Sequence, residues 1–264
     1  MSNVYFVKTA HVYESYVDYR NLVTLSGYTF IDYDEIDPDS DNVYIFTPLS
    51  AEWSSRYPGP VKATMILWDL EFRLKESSYE WPDSDLVTPP FISRVWASDK
   101  WYAARIYAEY VPLGSHAGLV GTAQTDERYD AAVMCYIWGR RGNVLVQAQE
   151  KGLTIAPNAW GDERDALLKA SSVVLHIHQH ERVNSVAPQR VAIAAAWHKP
   201  LISESVYDRG IFDTCVLYAD YAHLADYTAL MVKRYPQLLR DKADELHDKL
   251  VVSNSFRSFV EANL

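Results

Sequence analysis

The strongest constraint on this chain is an alternation. Short runs of apolar and β-branched residues are separated, again and again, by longer stretches of helical character. In the first half, residues 4–8, 28–33, 42–47, 61–67, 91–97 and 110–112 read as strands. Helices are expected over 11–26 and 100–108, the second started by Asp99. Residues 118–129, GLVGTAQTDERY, are polar and glycine-bearing and read as a linker. The alternation then restarts, with strands over 131–138, 153–156, 172–178, 200–204 and 214–219. Helices are expected over 143–151, 162–170 and 188–198, and further helical segments run from 221 to the end. Strands that alternate with helices pair in parallel, because each crossover returns the chain to the same edge of its sheet. The expectation is an α/β chain of two Rossmann-like parallel-sheet domains, residues 1–120 and 121–264, with a ligand cleft between them at the carboxyl ends of the strands.

Composition narrows the field. With 48% hydrophobic residues among 264, the chain can bury a core in one large or two small domains. It opens without a basic segment followed by an apolar run, and no apolar stretch approaches the length of a membrane span, 192–197 being too short. A cytoplasmic, membrane-free protein is expected. Cys135 and Cys215 each sit in an apolar run and read as buried thiols. A net charge of −10 argues against nonspecific coating of nucleic acid, which needs surplus Lys and Arg, though it leaves room for a local basic groove. The 19 Tyr and 8 Trp are expected mainly in the core, with some left to line a binding surface.

Three constellations carry candidate chemistry. In Trp138-Gly139-Arg140-Arg141-Gly142-Asn143 a strand gives way to a helix. Glycines let the backbone approach a ligand, a helix N-terminus presents unpaired N–H groups, and two arginines add fixed charge, which together suit a diphosphate. The alternative is a tight turn with solvated arginines. His176, His178 and His180 alternate along one strand and would share a face. Their cluster suggests a metal, yet no His-x-x-x-His or cysteine pair supports one, so polar groups gathered at a strand end are the preferred reading. Arg190 lies on a helix and Glu204 ends a strand begun by Pro200. A carboxylate there can accept from ribose hydroxyls and the arginine can pair with phosphate, unless the two simply form a salt bridge.

The run VVLHIHQHERVNSVAPQRVAIAAAWHKPLISE resembles the C-terminal signature of GT-B glycosyltransferases of the bacterial and phage spore-maturation-like (CgeB-like) group. That group carries an "LNIH" strand end, an arginine opening a helix and a "PVVSE" strand, matched here by His178, Arg190 and Glu204. MCYIWGRRGNVLVQAQEKGLTI and WGDERDALLKASSVV are similar to its preceding segments, and the resemblance spans most of 61–219. It implies a glycosyltransferase with no tightly bound cofactor, which takes a nucleotide-sugar as co-substrate. The donor would lie on Gly139, Arg140, Arg141, His178, Arg190 and Glu204. Many retaining GT-B enzymes carry a Glu-x7-Glu pair, but those positions fall near Ser185 and Ile193 here, and the asparagine of "LNIH" is His176.

His116 and Asp69 are the candidates for a general base if the reaction inverts configuration. If it retains, His116 would instead contact the donor. The acceptor is open. The resemblance to compact phage enzymes suggests a hydroxymethylated base in DNA, held by Arg56, Lys62, Arg94, Lys100 and Arg105 and flipped out against Trp53 or Trp101. Two other classes remain: a non-catalytic nucleotide- or sugar-binding relative, and a metal-dependent hydrolase built on the three histidines.

Overall fold

The computed structural model of the chain describes residues 2–8, 17–47, 59–70, 88–122, 124–181 and 185–264. It divides into two compact units, Met1–Leu113 with Phe256–Leu264, and Gly114–Ser255.

The first unit is built on six parallel strands: β1 (Val4–Val7), β2 (Thr29–Ile31), β3 (Val43–Phe46), β4 (Thr64–Asp69), β5 (Arg94–Ala97) and β6 (Glu109–Tyr110). They lie in the order β2-β1-β3-β4-β5-β6. Helix α1 (Val17–Leu25) connects β1 to β2, and α2 (Lys100–Arg105) connects β5 to β6. The Asp99 side chain accepts the Tyr102 N–H at 2.7 Å and so caps α2. Strand β4 reads as a continuous apolar run because both faces of a parallel sheet are covered, and Met65 to Asp69 are all buried.

The second unit has four parallel strands, β7 (Tyr129–Val133), β8 (Ser171–His176), β9 (Leu201–Glu204) and β10 (Leu217–Ala219), in the order β10-β9-β8-β7. Helices α3 (Arg140–Glu150) and α4 (Gly161–Ala170) lie between β7 and β8, and α5 (Pro188–Ala196) between β8 and β9. Proline at the first turn of α5 costs no hydrogen bond, and six of its alanine, valine and isoleucine residues are buried. Helices α6 (Leu224–Arg234) and α7 (Pro236–His247) follow β10.

Helix α8 (Phe256–Asn263) ends the chain and packs with the first unit. Its Phe256 is fully buried, stacked on Trp68 at 5.5 Å and in ring contact with Phe6, Tyr19 and Tyr28. The unit boundary falls at Leu113/Gly114, before the expected linker, and the C-terminal helices do not all stay with the second unit. The aromatic pocket that receives Phe256 is the physical reason.

Several expected strands shorten, two of them most. The run over 153–156 makes a single bridge, Ile155 to Ala131, because Pro157 follows and cannot donate to a ladder. The strand expected to reach 138 stops at Val133, since arginine side chains take the carbonyls of the segment beyond it. The helix expected over 11–26 is described from Val17. Trp68, Trp96, Tyr44 and Tyr102 are among the largest fully buried side chains, but most of the described aromatics are part-buried or exposed, so fewer lie in the core than expected.

Candidate functional site

In the second unit, β7, β8 and β9 run side by side, so their carboxyl ends converge. Arg140 and Arg141 follow β7, His176 ends β8 with His178 just beyond it, and Glu204 ends β9. An open α/β sheet offers ligands the crevice at this edge.

Arg140 and Glu204 form a bidentate pair, Nη1 to Oε2 at 2.7 Å and Nη2 to Oε1 at 2.6 Å. The His178 N–H donates to the same Oε2 at 3.0 Å. The Arg140 guanidinium lies 3.7 Å over the Tyr221 ring, whose hydroxyl donates to the Arg140 carbonyl at 3.0 Å. Glu204 is therefore engaged at both oxygens by Arg140, and the salt bridge considered for Arg190 and Glu204 is made by a different arginine. Arg190 instead donates through Nε to the Met134 carbonyl at 3.0 Å.

Arg141 is buried. Its Nε donates to the Ile177 carbonyl at 2.9 Å and its Nη1 to the Tyr136 carbonyl at 3.2 Å. Among the described residues no carboxylate pairs with it. A buried cation held only by carbonyl dipoles leaves positive potential at the site, which an anionic ligand relieves. It stands at the start of α3, whose partial positive charge adds to the same field. Gly139, at the N-cap, has φ +51°, and no atom lies within 4 Å of where a Cβ would stand. That conformation is open to glycine and strained for other residues.

The histidines do not alternate on one strand as expected, because β8 ends at His176. His176 is spoken for at both ring nitrogens. Its Nε2 accepts the Ala187 N–H at 3.1 Å, so the proton lies on Nδ1, which faces Ser203 Oγ at 3.1 Å. The Ser203 hydroxyl donates onward to the Glu204 carbonyl at 2.8 Å. His176 thus ties the start of α5 to the end of β9. His178 is also buried, with Nδ1 3.6 Å from Glu204 Oε2 and an Nε2 that finds no hydrogen-bond partner among the described residues. Burial pushes its imidazole down to about 4, with Glu204 opposing the shift and Arg140, Arg141 and Arg190 adding to it. Burial likewise holds His176 well below the usual imidazole range, helped by Arg190. His180 is only half-buried. Among the described residues no group of three His, Cys, Asp or Glu side chains is placed to hold a metal ion.

The base candidates are placed differently. Asp69 ends β4 in the first unit, is 1% exposed, and accepts the Tyr102 hydroxyl at 3.0 Å. His116 belongs to the second unit and is half-exposed. Its Nδ1 accepts the Gly118 N–H at 3.0 Å, so in the neutral form Nε2 carries the proton. Nε2 is then a donor to an oxygen, not a base.

No protein-family model and no curated protein matches the chain. Solved structures do. AviGT4, a glycosyltransferase involved in avilamycin A biosynthesis, aligns over 100% of this chain and 96% of its own, with TM-score 0.58 at 12% identity. The chain has the GT-B fold. A glycosyltransferase from Rickettsia africae ESF-5 shares that fold, with TM-score 0.56 and 11% identity over 99% of this chain and 96% of its own. So does the E. coli trehalose-6-phosphate structure bound with UDP-2-fluoro glucose, with TM-score 0.59 and 11% identity over 86% and 73%. Within the GT-B fold, the second unit here carries the arginine-rich edge just described.

Sequence reasoning missed Tyr221 as the ring beneath Arg140 and Ser203 as the relay from His176. It also missed the arginine-braced segment 134–138. Only the last left a signal, since that segment continues an apolar run with no polar alternation.

Proposed function

We propose that the chain is a glycosyltransferase that moves a sugar from a nucleotide-sugar donor, held by the second unit, to an acceptor hydroxyl. The observation that carries this is Arg141, a buried guanidinium without a carboxylate at the start of α3, in a chain with the GT-B fold. As the donor bond breaks, negative charge grows on the departing diphosphate. Fixed cations and N–H groups aimed there stabilise that charge without reorganising at the moment of reaction. Arg140 and Arg141 supply the charge, and the Gly139 turn lets backbone N–H groups approach. Glu204 orients Arg140, while Arg190 and His176 brace the segments that carry the site.

Asp69 is buried beneath Tyr102, so it fits poorly as a base that must reach an acceptor. The Nε2–H of His116 suits a donor to a sugar or phosphate oxygen, as a retaining reaction would use. The CgeB-like grouping rests on the sequence resemblance, and its fit to the donor residues supports the same reading. No tightly bound cofactor is invoked; the nucleotide-sugar is a co-substrate.

A hydroxymethylated DNA base as acceptor would need the basic patch on the first unit. Arg94 is engaged by Glu109, Lys62 pairs with Asp41 at 3.1 Å, and Arg105 lies over Trp101 at 4.7 Å. Arg56 and Trp53 lie outside the described residues. This pairing favours a small hydroxyl acceptor over a duplex. Among the described residues no helix is long and apolar enough to cross a membrane.

The test titrates UDP-, GDP-, ADP- and dTDP-sugars into the chain and its Arg141→Met variant, then incubates bound donors with small acceptors and with hydroxymethylated DNA. Donor binding that Arg141→Met weakens, followed by sugar transfer, is the expected result. Zinc binding with no response to any donor would overturn the reading in favour of the metal hydrolase.

A further inference from the structure

Three large aromatic side chains lie open beside the Gly139 turn. Tyr136 is 64% exposed, Trp138 65% and Trp160 52%. They touch one another through Tyr136, whose ring centroid is 6.1 Å from Trp138 at 30° and 5.0 Å from Trp160 at 51°. Exposed aromatic surface gathered in one place marks a ligand or partner site. The backbone beneath is held firmly. Arg141 binds the Tyr136 carbonyl and Arg190 the Met134 carbonyl, so the platform is set before anything binds. Trp138 directly precedes Gly139 and α3, and Trp160 directly precedes Gly161, at φ +59°, and α4.

What covers these rings is decided by the charge next to them. Arg140 and Arg141 lie two and three residues from Trp138, and among the described residues Arg141 has only carbonyl partners. His178 adds a buried ring nitrogen with no partner beside the Arg140–Glu204 pair. A fitting ligand joins a flat ring to a compact anion. A neutral oligosaccharide lacks the anion. A nucleic acid strand would bring a run of phosphates to a chain of net charge −10. A nucleoside diphosphate has both parts.

We infer that Tyr136, Trp138 and Trp160 set the base preference of the donor by stacking, so that purine donors are held more tightly than pyrimidine donors. This rests on the donor reading of the second unit. Every base presents a π face, and the bicyclic purine covers more of three rings than a pyrimidine does. Selectivity of this kind follows ring area, not the pattern of donors and acceptors on the base edge.

The experiment is calorimetric titration of the full chain with ADP, GDP, UDP, dTDP and pyrophosphate at one ionic strength. It is repeated on Trp138→Ala, Trp160→Ala and Trp138→Phe. ADP and GDP are expected to bind more tightly than UDP and dTDP. Each alanine variant should lose roughly 5- to 150-fold in ADP affinity, the span of base–aromatic stacking. Pyrophosphate affinity should stay unchanged, and Trp138→Phe should keep most of the ADP affinity. Melting temperatures should hold, because both indoles are more than half exposed. Nucleotides that bind parent and alanine variants equally would overturn the stacking inference and leave the donor reading standing. If no diphosphate binds, while an oligosaccharide or single-stranded DNA quenches tryptophan fluorescence, both fall.

Discussion

Acidification should destabilise the second unit through His178, and the size of the loss can be worked out. Its imidazole sits at about 4 in the folded chain, chiefly through burial, against 6.5 when unfolded. Because the folded value is depressed, the unfolded chain takes up the proton first. Stability is then complete above about pH 6.5 and drains away as pH falls towards 4. One proton corresponds to about 1.36 kcal/mol per pH unit, so the loss between pH 7 and pH 5 is about 2 kcal/mol. His176 adds to the slope with the same sign, because a protonated Nε2 can no longer accept the Ala187 N–H. The groups facing His178 are Glu204, Arg140, Arg141 and Arg190, and burial outweighs the attraction of Glu204. The assay is urea unfolding at pH 7, 6 and 5, above the range where most carboxylates titrate. It is run on the parent and on His178→Gln, which keeps the backbone donor to Glu204. The difference in stability between pH 7 and pH 5 should shrink by about 2 kcal/mol in the variant. Equal pH slopes in parent and variant would refute the reasoning.

Glu204→Ala leaves Arg140 largely buried without its carboxylate and should cost about 3–5 kcal/mol of stability, with Arg140→Met restoring much of it in the double variant. A single variant within 1 kcal/mol of the parent in chemical denaturation, on the scale of an exposed pair, would contradict that. Gly139→Ala should lose about 1–3 kcal/mol from backbone strain alone, since no atom crowds the position. Gly142→Ala, inside α3 and equally open, should gain about 0.5–1 kcal/mol. Opposite signs at these two glycines in the same urea assay are the check. Phe256→Ala should cost about 3–5 kcal/mol and release α8 from the first unit, seen as loss of amide protection over 256–263 in hydrogen exchange.

Much of the architecture is legible in the chain because periodicity is local. The apolar run of β4, the proline that opens α5 and the aspartate that caps α2 can each be read from a few neighbouring residues. The candidate site was legible as a set of residue types at strand ends, and Arg140, His178 and Glu204 do meet there. What each of them does was not legible. Arg140 and Arg141 are adjacent in sequence, yet one takes a carboxylate 64 residues away and the other takes carbonyls. Nothing in a dipeptide distinguishes them. His176 and His178 likewise share a strand pattern and part company only because β8 ends between them.

The sequence by itself determined the class of fold and the edge on which charge and glycine gather, since both follow from patterns spanning fewer than ten residues. Only the tertiary structure decided which arginine Glu204 holds and which histidine nitrogen is left without a partner. It also decided that the last helix completes the first unit and that Tyr136, Trp138 and Trp160 stay outside the core. Those outcomes depend on groups 26 to 64 residues apart within the second unit, and on Phe256 finding a pocket lined by Phe6 and Trp68 in the first. Burial and hydrogen-bond completion settle them over the whole unit at once, and no local propensity encodes that.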